Sequence, residues 1–225
     1  MSKLIIGITG FIGSGKDTVA SYLEDVHGFR RDSFANTLKD AVAAIFGWNR
    51  ELLEGRTNEA REWREQVDPW WAKRLGMPHL TPRIVLQQWG TEVCRKSFHD
   101  DIWIAALENK LRLTTGNSVI SDVRFPNEIK AIKNAGGIVI WVNRGELPAW
   151  YHLAVNANNG APIAQEMLVE LGVHVSETAW VGTTFDQVID NNDTTDHLYQ
   201  QINTLISEFN SPVRDPRVST ANLTV

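Results

Sequence analysis

The chain is expected to fold as an α/β protein, with a mostly parallel sheet in a three-layer arrangement and a helical insertion. Three observations predict this. Short apolar runs at residues 3–9, 119–123 and 138–142 alternate with longer stretches of helical period. Those runs are apolar on both faces, as parallel strands covered by helices on both sides must be. The 225 residues, 43% hydrophobic and 22% charged, suffice for one such domain with a small inserted piece.

Each element follows in order. Residues 3–9 read as a buried strand, and residues 16–26 as a helix whose Val19, Ala20, Tyr22 and Leu23 are apolar. Phe29 to Phe34 is a short second strand, and Ala35 to Trp48 a helix with Leu38, Val42, Ile45 and Phe46 on one face. Residues 50–80 change character, being charged and rich in tryptophan: Arg56, Arg61, Trp63, Arg64, Trp70, Trp71 and Arg74. They are expected to stand off the sheet as a lid or substrate-binding insertion. A solvated helical insertion, or a surface for a homodimer, fits them equally. Thr81-Pro82 opens a helix to about Trp89-Gly90, because proline suits a first turn. A further helix covers Trp103 to Leu113 and a strand Val119 to Val123. A helix from Asn127 to Ala135 closes on Gly136-Gly137, and Ile138 to Val142 is a strand. Residues 145–180 read as irregular or loosely helical, Val188-Ile189 as a last short strand, and Asp196 to Phe209 as a final helix. Residues 1–210 form the expected domain, and 211–225 a polar, proline-containing tail expected to be disordered.

Composition excludes several classes. The net charge is −5, with no basic tract to grip a nucleic-acid polymer. Cys94 is the only cysteine, so no internal disulfide forms, and a reducing, cytoplasmic setting fits. No apolar run is long enough to span a bilayer, and no signal-peptide pattern opens the chain.

The first turn carries the chemistry. Gly10-Phe11-Ile12-Gly13-Ser14-Gly15-Lys16 follows the first strand and leads into a helix. This is the G-x-x-x-x-G-K phosphate loop, or P-loop. Its glycines let backbone N–H groups curl around a polyphosphate, and the helix adds its positive dipole end. Lys16 supplies a cation that can follow phosphate charge into the transition state. The loop therefore predicts a bound nucleoside triphosphate. One feature departs from the pattern: Asp17 stands where a Mg²⁺-ligating hydroxyl is usual, and the hydroxyl comes one place later at Thr18.

A second constellation follows the strand at 119–123, where Asp122 and Arg124 share one side of an extended segment. Asp122 would organise Mg²⁺ through water, Arg124 would grip a phosphate bidentately, and Glu128 would accept hydrogen bonds from a base or sugar. A surface ion pair between Asp122 and Arg124 is the plainer alternative. His174 reads as well as a loop cap as it does a catalytic group.

In its ordered series of segments the chain resembles the deoxynucleoside monophosphate kinases of bacteriophage type, a branch of the P-loop nucleoside monophosphate kinases. The segments are Gly10 to Thr18, Phe34-Ala35 with Leu38 to Ala41, Arg83 to Glu92, Asp101 to Trp103, Ser121 to Arg124 with Asn127-Glu128, Val139 to Arg144, His174 to Glu177, and Ile189 to Asn192. The resemblance implies a P-loop fold and transfer of a phosphoryl group from ATP, with Mg²⁺, to a deoxynucleoside monophosphate. It implies Gly13, Ser14, Gly15, Lys16, Asp17 and Thr18 cradling the ATP phosphates, Lys39, Arg83, Trp103, Asp122, Arg124 and Glu128 around the acceptor, and Arg144 and Asn191 beside the donor. Lys16, Arg124 and Arg83 would carry the catalysis, with Asp17, Thr18 and Asp122 holding the metal directly or through water. If phage-encoded, the enzyme would work in host cytoplasm. Two rivals share the loop: a kinase for another metabolite, such as dephospho-coenzyme A or phosphomevalonate, and a non-catalytic ATP switch.

Overall fold

A computed structural model describes residues 3–210; the expectation of a disordered tail at 211–225 lies outside the described residues. The chain divides into two compact units, residues 34–113 forming one and the flanking segments the other.

The flanking unit carries the sheet. Its strands are β1 (Ile5–Thr9), β2 (Arg30–Asp32), β3 (Ser118–Ile120), β4 (Ile138–Asn143) and β5 (Gln187–Asp190). They pair in the order β2-β3-β1-β4-β5, and every pairing is parallel. The helices are α1 (Lys16–His27), α8 (Pro126–Asn134), α9 (Tyr151–Asn158), α10 (Pro162–Glu170), α11 (Val175–Thr178) and α12 (Thr195–Asn210). The period-two alternation of β1 sets the layers. Ile6 and Ile8 join Val19, Ala20 and Leu23 of α1 and Leu198, Ile202 and Leu205 of α12 in one buried cluster. Gly7 turns to the opposite face, where a Cβ would come 2.5 Å from the Ile132 Cδ1 of α8 and 3.1 Å from Val123. That close approach lets α8 cover the second face, and the three expected layers result.

The segment 145–180 is more regular than its sequence suggests. Of the two readings, irregular or loosely helical, it takes the helical one, forming α9, α10 and α11. Asn158 locks the group by donating to the carbonyls of Thr178 and Val181, both at 2.8 Å. Phe11 of the phosphate loop packs among Trp141, Trp150, Tyr151 and Trp180.

The second unit is helical: α2 (Asn36–Phe46), α3 (Arg50–Glu54), α4 (Asn58–Glu65), α5 (Pro69–Leu75), α6 (Pro82–Gln87), a π-helix (Gln88–Lys96) and α7 (Ile102–Leu113). The expected insertion at 50–80 is thus part of a larger body with its own core. Leu38, Val42, Phe46, Trp48, Leu53, Ala72, Leu80 and Val85 form that core, with Trp63, Trp71, Trp89 and Trp103 against it. Side-chain caps start three of the short helices: Asn49 on α3, Thr57 on α4 and Asp68 on α5. Gly90, read from sequence as a helix stop, lies inside the π-helix instead. A Cβ there would come 2.9 Å from Leu38 Cδ2, so glycine serves close packing. Cys94 sits half-buried on this π-helix.

Candidate active site

Strand order places the loop. The chain leaves β1 toward β2, while neighbouring β4 leads toward β5. Carboxyl ends of strands that diverge in this way open a ligand crevice between them. The loop after β1 lies there.

Gly10 and Gly15 hold φ of +147° and +97°. A Cβ on Gly10 would run into the Val142 carbonyl oxygen, and one on Gly15 into the Asn191 side-chain amide. Glycine is therefore required at both by conformation and by space. Gly13 also has positive φ, but open space around it. Ser14 is buried, and its hydroxyl has no hydrogen-bond partner. A buried unpartnered hydroxyl beside a Gly-rich turn suits an incoming phosphate oxygen.

Lys16 curls back over the loop. Its ammonium donates to the Gly10 carbonyl at 2.6 Å and the Phe11 carbonyl at 2.7 Å. Burial depresses its pKa, and the Arg124 guanidinium depresses it further, against partial compensation from Glu177 and Asp17. A cation in that setting favours an anionic ligand.

Arg124 follows β3. Its guanidinium donates to Glu177 Oε1 at 2.7 Å and Ser176 Oγ at 3.2 Å on α11. These partners on α11 are ones the sequence reading did not name. Sequence spacing held no signal for these partners, more than fifty positions away. Glu128 is buried, and its carboxylate accepts from the backbone N–H groups of Arg124 at 2.8 Å and Phe125 at 3.1 Å. It thus caps α8 and fixes the Arg124 backbone. His174 caps α11, its ring accepting from the Ser176 N–H at 3.2 Å.

Asp17 stands exposed in the first turn of α1 and pairs with Arg31 of β2. Thr18 is exposed and Asp122 half-buried. Asn191 donates its side-chain amide to the Ser14 carbonyl at 2.8 Å, which ties the segment after β5 to the phosphate loop. Arg144 is exposed just after β4.

Lys39, Arg83 and Trp103 belong to the helical unit. Lys39 pairs with Glu54 at 2.9 Å, and Arg50 pairs with the same carboxylate at 2.7 Å. Burial alone would raise the Glu54 pKa; hydrogen bonds from Arg50 and Lys39 outweigh it and hold the group at about 2. Arg83 bonds Glu65 at 2.7 Å. Arg64 is half-buried, with its Nε enclosed and unpartnered. Burial lowers its pKa first, then the neighbouring Arg83, with Arg61 adding to the effect. Lys39 and Arg83 thus flank one charged cluster; Arg64 was legible in the charged, tryptophan-rich run at 50–80, whereas Glu54 and Arg50 had no sequence signal as site residues. Trp103 is half-buried; its indole N–H donates to the Gly90 carbonyl at 2.9 Å, and its ring packs on the unit's core.

Among the described residues, no group of three His, Cys, Asp or Glu side chains converges as a metal cage. Mg²⁺ in phosphoryl-transfer sites takes most of its ligands from phosphates and water, with one or two protein oxygens. Asp17 and Thr18, at the start of α1, fit that demand.

A parallel sheet with a lysine-bearing glycine loop between β1 and α1 defines a P-loop nucleotide-binding protein. No family model matches the chain. It is 36% identical over 155 residues to the "Putative deoxynucleotide monophosphate kinase" of Acanthamoeba polyphaga mimivirus, covering 63% of this chain and 74% of the relative. It is 30% identical over 175 residues to the deoxynucleoside-5'-monophosphate kinase of Escherichia phage T5, covering 56% of this chain and 70% of that one. The chain belongs to the deoxynucleoside monophosphate kinase family. Among solved structures, TT1252 from Thermus thermophilus is similar at a TM-score of 0.45 and 18% identity, over 92% of this chain and 98% of that one.

Proposed function

We propose that the protein transfers the γ-phosphoryl group of ATP to a deoxynucleoside 5′-monophosphate, giving ADP and the diphosphate. A phosphate oxygen of the acceptor forms the new P–O bond, and the bond from the γ-phosphorus to the β,γ-bridging oxygen breaks. The acceptor is already an anion, so no strong general base is needed. What the site must supply is positioning and positive charge.

One observation carries this reading: Lys16, half-buried on a preformed phosphate loop, has its pKa lowered by burial and then by the charge of the nearby Arg124 guanidinium. Two cations converging beside a phosphate loop exceed what a nucleotide switch needs. Lys16 and the loop N–H groups bind the donor phosphates, and Arg124 neutralises charge at the transferring group. Asn191 holds the Ser14 peptide in place, and Arg144 stands by the donor. Asp17 and Thr18, with Asp122 through water, would hold Mg²⁺, which when bound neutralises charge on the phosphates. In the helical unit, Lys39 and Arg83 grip the acceptor with Arg64 between them in charge. Family membership supports the choice of acceptor. Glu128 acts by fixing Arg124, and Trp103 by holding the π-helix.

The test is a coupled ADP-release assay over all deoxy- and ribonucleoside monophosphates, with dephospho-coenzyme A and phosphomevalonate as comparison acceptors. Turnover that depends on a deoxynucleoside monophosphate is expected. Turnover only with a comparison acceptor, or slow ATP hydrolysis indifferent to every acceptor, would refute the assignment.

A further inference from the structure

A carboxylate directly after the phosphate-loop lysine is a liability for a site that must gather phosphate charge. Asp17 occupies the first turn of α1, where the loop N–H groups and the helix dipole attract anions. An uncompensated negative charge there opposes them. The structure shows what meets it. Arg31 reaches from β2 and bonds Asp17 Oδ1. The Arg31 side chain is only 12% exposed, whereas that of Asp17 is 81% exposed. Two further contacts hold the guanidinium: its Nε lies 3.3 Å from Ser121 Oγ, beyond β3, and a terminal nitrogen lies 3.4 Å from Ser21 Oγ on α1. The arginine is thus fixed by the scaffold, and the aspartate is the partner that comes to it.

We infer that Arg31 is a positioning residue of the donor site: it cancels the charge of Asp17 and fixes the direction of that carboxylate, so that an acidic residue can follow Lys16 without repelling the triphosphate. The inference rests on the ATP reading above. It assigns Arg31 no contact with the nucleotide. Its consequence is a specific coupling. Arg31 matters to phosphate binding only while residue 17 is negative.

The experiment is a calorimetric double-mutant cycle with ADP in the presence of EDTA, so that any part Asp17 plays with a metal does not enter. Arg31→Met should weaken ADP binding about tenfold. Asp17→Asn should leave it unchanged or tighten it. The double variant should return to within about threefold of the wild type, because the repelling charge has gone. In steady-state assays with Mg²⁺, Arg31→Met should raise the KM for ATP more than it lowers kcat. An equal loss from Arg31→Met in the wild-type and Asp17→Asn backgrounds would overturn the inference, since Arg31 would then act on the phosphates directly. No loss from Arg31→Met would overturn it too. Should Arg31→Met not fold, the exposed position decides: Asp17→Asn weakening ADP tenfold in EDTA also overturns it. A wild-type protein that binds no ADP refutes the ATP reading itself, and is recognisable as such before any variant is compared.

Discussion

Replacing Glu54 by glutamine removes the charge that joins Lys39 to Arg50. The carboxylate is 18% exposed, accepts from Lys39 at 2.9 Å and from Arg50 at 2.7 Å, and ionises at about 2 rather than 4.5. Its folded pKa is depressed, so the folded state binds fewer protons than the unfolded chain between the two values. The stabilisation is therefore complete above about pH 4.5 and is lost as pH falls through about 2. At about 1.36 kcal/mol per pH unit, the interval corresponds to roughly 3 kcal/mol. Glutamine keeps some hydrogen bonding, so Glu54→Gln should cost about 2–3 kcal/mol at pH 7, or roughly 4–10 °C in Tm for a chain of this size. Urea titration is the assay of choice, because guanidinium chloride would screen the ion pairs being measured. The deficit relative to wild type should fall to roughly half at pH 3 and nearly vanish by pH 2. A deficit below about 1 kcal/mol at pH 7, or one of equal size at pH 3 and pH 7, would refute the reasoning.

Lys16→Met should abolish measurable ATP turnover while the protein stays folded. Because the folded pKa of Lys16 lies below 10.5, the unfolded chain binds more protons in that window and wild-type stability gains a rising component with pH; urea midpoints at pH 8 and pH 10 should show the variant without it. Arg124→Ala should lower kcat by about 10²–10³-fold, as loss of a charge-stabilising group does, and a folded variant within threefold of wild type would remove Arg124 from the mechanism. Glu177→Gln should tighten pyrophosphate binding about two- to fivefold by calorimetry, since it strips a competing anion worth up to about 1 kcal/mol from Arg124; weaker binding would contradict that role. Gly55→Ala should destabilise the protein by at least about 1–2 kcal/mol, because φ is +71° and the new methyl meets the Arg64 guanidinium; a neutral urea midpoint would count against that packing.

What the sequence reveals follows the range of the interactions. β1, the loop and α1 are contiguous, and each is specified by neighbours within a few positions: apolar run, glycines, lysine, amphipathic turn. Lys16 could therefore be assigned its place before any coordinates. Arg124 was legible as a candidate because it ends a buried strand, yet its partner Glu177 lies 53 residues on, in a segment whose mixed pattern concealed three helices. The local pattern failed there because α11 is only four residues long and is held by a cap and by Asn158, not by periodicity. Gly90 misled for a related reason. Glycine usually marks a helix end, but here close packing against Leu38 outweighed its low propensity. Trp103 was attractive as a stacking platform because its ring chemistry permits it. The Gly90 carbonyl that claims its N–H could be placed only by the π-helix geometry.

Two cations of the sheet-bearing unit, Lys16 and Arg124, are held by partners weaker than a phosphate. Lys16 rests on two loop carbonyls, and Arg124 on a carboxylate and a hydroxyl. Carbonyl bonds to a charged lysine contribute about 1.5–3 kcal/mol each net, and a half-exposed ion pair about 1 kcal/mol or less. A triphosphate offers several anionic oxygens in one body, so it can replace these partners without leaving any cation bare at an intermediate point. On the proposed donor role, the site would be preorganised in position and would exchange partners on binding. That is the condition under which buried charge acts on a transition state with little reorganisation.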